Sequence, residues 1–141
     1  KVAATVVNAS VSGDTTSGGR ARLPALLDKH KPAVVVIELG GNDALRGLPM
    51  KNTQDNLSAM AQAAQKAGAK VLLVGMQVPP NYGSDYARRF AAAFGEVARQ
   101  EGVANGPDAT ALFQPDRIHP NAQAHPIMLG NVWPALRKLL R

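Results

Sequence analysis

A doubly wound α/β domain is what the sequence predicts. Short apolar runs alternate with segments of helical spacing, and each run is cut off by a loop rich in Gly, Asn, Asp or Pro. Strand, helix, strand, helix is the pattern of a parallel sheet with right-handed crossovers and helices on both faces. At 141 residues the chain suits one domain, spanning residues 1–141, with a single core.

Residues 2–8 (VAATVVN) form the first β-prone run, and residues 9–19 (ASVSGDTTSGG) follow with loop composition and candidate helix caps in Thr15, Thr16 and Ser17. A helix is expected through Ala21, Leu23, Leu26 and Leu27, with Pro24 in or near its first turn and Lys31-Pro32 at its end. Residues 33–39 (AVVVIEL) are almost continuously apolar and β-branched, which predicts a strand covered on both faces. Gly40-Gly41-Asn42-Asp43 stops it. Leu57, Met60, Ala61 and Ala64 define a second helical stripe that closes at Gly68, and residues 71–74 (VLLV) are the next buried strand. After the loop QVPPNYGS, a third helix carries Tyr86, Phe90, Ala93, Phe94 and Val97 on one side and ends at Gly102. Residues 103–115 are poor in β-branched side chains and read as a loop. A last helix is expected over roughly residues 122–140, shortened or bent by Pro126 and Pro134.

Composition narrows the function classes. There is no cysteine, so disulfide frameworks, thiolate metal sites and a cysteine nucleophile are excluded together. The net charge of +6 is carried by scattered residues (Arg20, Arg22, Lys29, Lys31, Arg88, Arg89, Arg137, Lys138, Arg141) with few aromatics among them. That is the pattern of a solvated basic surface rather than a nucleic-acid-binding face. No apolar run approaches the ~20 residues of a membrane helix. The first residues show no basic-then-apolar leader, although a leader cleaved ahead of them leaves the compartment open. His30, His119 and His125 stand in separate contexts, so neither a metal nor an organic cofactor is expected.

Folds of this kind bind ligands at the carboxyl ends of the strands. The loops expected there are ASVSGDT, GGNDALRG and QVPPNYG. In PDRIHPN, Asp116 and His119 have a spacing that lets a carboxylate orient an imidazole, leaving the far ring nitrogen as a base. Asn42, directly after a strand, offers a side-chain amide to a developing oxyanion, and Gly13 lets a backbone N–H approach a ligand. Taken singly, each of these is also what an ordinary turn contains.

Together, VVNASVSGDTT, ELGGNDALRG and DRIHP resemble the second, third and fifth blocks of the SGNH, or GDSL-type, hydrolase family. ARLPALLDKHKP, VPPNYG and NVWPAL resemble its bacterial branch of thioesterases, lysophospholipases and arylesterases. The resemblance runs through nearly the whole chain in the same order. It implies a three-layer, flavodoxin-like fold and a Ser-His-Asp triad with His119 as base and Asp116 as its orienting carboxylate. It implies an oxyanion hole that includes the Gly13 N–H and the Asn42 amide, and a pocket edge formed by Asp43, Leu45, Leu48, Asn81 and Tyr82. The implied substrate is a small acyl ester or thioester, with lipid esters in range, and the implied compartment is the periplasm or the cell exterior.

The family's first block, a strand ending in Gly-Asp-Ser, is expected ahead of Lys1, within a longer protein of which this sequence is part. The nucleophile is therefore expected outside residues 1–141, since Ser10, Ser12, Ser17, Ser58 and Ser84 stand in no equivalent context. Two other classes compete: a non-catalytic lipid- or acyl-binding module that has lost the serine, and a phosphate-binding domain. The second is disfavoured because neither Gly13 nor Gly40-Gly41 has phosphate-loop spacing.

Overall fold

Thr15 opens the first helix from an extended conformation, its hydroxyl accepting the Gly18 N–H, so that a threonine in a polar stretch becomes an N-cap. The computed structural model describes residues 7–75, 78 and 80–106. Helix α1 runs Thr16–His30 and stops where Lys31 turns left-handed (φ 46°) and returns its N–H to Leu27. Pro24 is the ninth residue of this helix, not part of its first turn as expected. The capping threonine starts the helix earlier than the apolar stripe suggests, so α1 tolerates one missing backbone hydrogen bond in its interior.

Strand β1 (Val34–Ile37) leads through a short helix α2 (Gly41–Leu45) and a long helix α3 (Met50–Lys66) to strand β2 (Lys70–Val74). A single 3-10 turn (Pro80–Tyr82) and helix α4 (Ser84–Glu101) then lead to strand β3 (Ala104–Gly106). All pairings are parallel, in the order β1-β2-β3, with Val36 opposite Leu72 and Leu73 opposite Asn105. The region expected to be a loop after Gly102 thus contains a strand. Its composition is weak, but the open hydrogen-bonding edge of β2 supplies what side-chain propensity does not.

Alternation divides the sheet. Ile37, Val71 and Leu73 point into one continuous core with Leu27 of α1, Leu57, Met60, Ala61 and Ala64 of α3, and Phe90, Phe94, Val97 and Ala98 of α4. These are the helical stripes read from the sequence. Leu72 and Val74, on the other face of β2, are buried as well, so β2 is covered on both sides. The outer strand β1 is not. Val36 is 47% exposed beside a buried Ile37, so the second face of β1 is open at this residue, where burial on both faces was expected.

Helix α3 packs between α1 and α4. Its seam with α4 is closed by polar contacts at Glu101, whose carboxylate accepts from Ser58 Oγ (2.8 Å) and Gln62 Nε2 (2.9 Å). Those two donors, Gln62 foremost, lower the Glu101 pKa. The run at residues 2–8 falls mostly outside the described residues, and its last two positions have no regular structure. The helix expected over 122–140, with Asp116 and His119, lies wholly outside them.

The interior aromatics carry a stability expectation. Phe94 is 1% exposed and meets Phe90 edge-on at 5.3 Å. Phe94→Ala is expected to lower unfolding free energy by about 3–5 kcal/mol, read from urea midpoints at unchanged slope.

Candidate active site

The turn that ends β1 is held against the aromatic face of α4. Gly40 has φ +128°, and a Cβ there would stand 3.1 Å from Phe94 Cζ and 3.5 Å from Phe90 Cζ. A side chain is therefore strained by the backbone angle and would also press on the Phe94 ring. The chain then enters α2 at once, so the segment read as a turn around Asn42 is in fact helical.

Within α2 the side chain of Asp43 turns inward and is 1% exposed. Its carboxyl group accepts from Thr16 N–H (2.8 Å) and Thr16 Oγ1 (2.5 Å) at the start of α1, and from Thr53 Oγ1 (2.8 Å) in the first turns of α3. Asn56 of α3 adds a bond to Thr16 Oγ1 at 3.1 Å. A buried carboxyl is costly without donors, and here three are supplied. One of them belongs to a helix N-terminus, where the dipole favours an acidic group. Asp43 thus joins three helices beneath the strand ends.

Asn42, one residue earlier, is half-buried and donates through Nδ2 to the carbonyl of Asp14 at 3.0 Å. This bond uses one of the two amide hydrogens and orients the group. Asp14 follows Gly13, which has φ +77° and open space where a side chain would be. The Gly13 carbonyl receives Arg46 Nη2 at 3.4 Å, and Asp14 N–H closes a turn onto Val11. The loop carrying Gly13 and the helix carrying Asn42 are therefore in contact.

The Tyr86 phenol, near the start of α4, has its pKa raised by burial first, then by the negative charge of Asp43, then by Tyr82. Asp43 and Tyr82 thus both act on one half-buried ring. Leu45 and Tyr82 are 44% and 37% exposed, Leu48 is half-buried and Asn81 is exposed, leaving apolar surface beside the turn open to a ligand. Asp116 and His119 lie outside the described residues, so their distance from Asn42 is not part of this geometry. Among the described residues no three His, Asp or Glu side chains are grouped to hold a metal. A separate groove of about 350 Å³ lies between α3 and α4, lined by Lys51, Gln54, Asp55 and Glu96, away from these loops.

Two features of this arrangement escape sequence reading. Thr16 and Thr53 look like ordinary helix-start residues, and Arg22 looks like one more surface cation. Only the fold brings the threonines to Asp43 and Arg22 to Asp14.

Asp43→Ala would strand the Thr16 N–H and two hydroxyls, at about 1–3 kcal/mol for each unsatisfied group. The expected result is a loss of several kcal/mol in urea unfolding. Asp43→Asn, which keeps an acceptor oxygen, is expected to lose clearly less.

Comparison with known proteins adds to this geometry. The family model described as GDSL-like Lipase/Acylhydrolase family matches residues 1–127. Esterase TesA of Pseudomonas aeruginosa is 54% identical, the match covering 96% of this chain and 71% of that protein. Thioesterase 1/protease 1/lysophospholipase L1 of Escherichia coli is 42% identical, covering 87% of this chain and 62% of that protein. The crystal structure of TesA superposes with a TM-score of 0.90 at 54% identity, over 96% of this chain and 79% of that one. The chain thus spans roughly two thirds of the length of these curated relatives.

Proposed function

The chain belongs to the GDSL-like lipase/acylhydrolase family, and from that premise we propose that the protein is a serine hydrolase of acyl esters and thioesters. The observation that carries the proposal is the Asn42–Asp14 hydrogen bond, which sets a side-chain amide beside the Gly13 loop at the carboxyl end of the sheet. An oxyanion requires donors directed at one spot, and the contact between the Gly13 loop and α2 supports that role for the two residues.

In the proposed reaction a serine from the family's first block attacks the acyl carbonyl. His119 takes the hydroxyl proton, and Asp116 holds its imidazole in the required tautomer. The carbonyl electrons move to oxygen, which the Gly13 N–H and the Asn42 amide stabilise. Collapse expels the alcohol or thiol with the proton from His119. Water, deprotonated by the same imidazole, then releases the acid. Leu45, Leu48, Asn81 and Tyr82 border the acyl group, and Asp43 supports that border from beneath. No metal or organic cofactor enters this scheme.

The proposed substrates are small acyl esters and thioesters, with lipid esters in range. The names of the relatives, an esterase and a thioesterase/lysophospholipase, support that breadth. The proposed compartment is the periplasm or the exterior, tested by osmotic-shock fractionation: retention with cytoplasmic markers would exclude it. Among the described residues no helix is long and apolar enough to cross a membrane.

A fluorophosphonate probe is expected to label the full-length protein, and His119→Ala is expected to suppress the labelling. Absence of label in the parent protein would favour the non-catalytic binding module. Asn42→Ala is expected to lower turnover by about two to three orders of magnitude with little change in melting temperature. Near-normal turnover would remove Asn42 from the oxyanion hole.

A further inference from the structure

We propose that Arg22 is a positioning residue that sets the geometry of the oxyanion donors without touching the substrate. The inference rests on the assignment of Gly13 and Asn42 to that role. From the second turn of α1, the guanidinium of Arg22 reaches back across the loop. Its Nε and Nη2 donate to Asp14 Oδ2 at 3.0 and 2.5 Å, and its Nη1 donates to the Ala9 carbonyl at 2.8 Å. One side chain therefore holds both ends of the loop that contains Gly13.

Among the described residues the loop has few other anchors. Val11, Ser12 and Gly13 are exposed, the internal bonds are the Asp14–Val11 turn and a Ser10–Asn8 contact, and Arg46 meets the Gly13 carbonyl from an exposed position at 3.4 Å. An exposed ion pair ordinarily contributes little. This one is different: the Asp14 side chain is 13% and the Arg22 side chain 34% exposed, and the residue it fixes carries the acceptor for Asn42. Position passes from the Arg22 fork to the Asp14 side chain, and from the Asp14 carbonyl to the Asn42 amide. A lysine has no fork with which to hold the carboxylate and the Ala9 carbonyl together.

The test is a kinetic cycle in the full-length protein with a p-nitrophenyl acyl ester. Arg22→Met is expected to lower kcat by about ten- to a hundredfold, as a displaced catalytic group does, with KM within about twofold. Arg22→Lys is expected to recover only part of the loss. Millimolar guanidinium ion is expected to raise the turnover of Arg22→Ala and not that of Asn42→Ala. In an Asn42→Ala background, Arg22→Met is expected to cost markedly less than alone, since one of the groups it positions is gone. Turnover of Arg22→Met within twofold of the parent would overturn the proposal, and so would a loss that is fully additive with Asn42→Ala and insensitive to guanidinium. Should Arg22→Met fail to fold, Arg22→Lys and the guanidinium arm decide in the same way. If Asn42→Ala itself leaves turnover unchanged, the oxyanion assignment has failed. If Asn42→Ala is impaired and the Arg22 variants are not, only the positioning role has failed.

Discussion

A carboxyl group removed from water at position 43 accepts hydrogen bonds from the first residue of α1 and from a hydroxyl of α3. Those donors lie 27 and 10 residues away in sequence, so the acid is satisfied in one arrangement of the three helices and stranded in any other. Because α2 is a single short turn of helix, fixing Asp43 also fixes Asn42 beside it. The side chain at 43 serves the fold and the side chain at 42 faces the strand-end loop, with α2 between the two tasks.

A second constraint acts from the other side of the same turn. Phe90 and Phe94 pack closely against position 40, and the chain leaves β1 with a backbone angle that favours glycine. The sheet end, the aromatic face of α4 and the α1–α3 junction therefore meet within four residues, from Gly40 to Asp43. Such pre-set geometry is what electrostatic stabilisation needs, since a donor that must first reorganise loses much of its value. The Arg22 fork extends this pre-setting to the Gly13 loop, whose apolar residue Val11 is exposed.

How much of this could be read from the sequence depended on the range of the interaction. The stripes Leu57-Met60-Ala61-Ala64 and Phe90-Ala93-Phe94-Val97 and the run at 71–74 were legible because burial follows the local period of helix or strand. Strand β3 was not, because Ala-Asn-Gly has no strand character and owes its pairing to β2. Val36 misled because an apolar run signals burial only if a packed layer covers both faces, and the second face of β1 is open at Val36. Pro24 misled because the cap at Thr15 lengthens α1. Gly13 and Asn42 were singled out through motif resemblance, and the fold brings the loop of one against the helix of the other. The inward turn of Asp43 and the reach of Arg22 to Asp14 were not, being tertiary contacts without a local signature. Asp116 and His119, singled out the same way as Asn42, lie outside the described residues.

The most direct measurement is a crystal structure of the full-length protein inactivated by a phosphonate ester, whose phosphorus mimics the tetrahedral intermediate. One phosphoryl oxygen is expected to lie about 3 Å from both the Gly13 nitrogen and Asn42 Nδ2, with Asn42 still bonded to the Asp14 carbonyl. A phosphoryl oxygen held by other donors, with Gly13 and Asn42 turned away from the adduct, would contradict it.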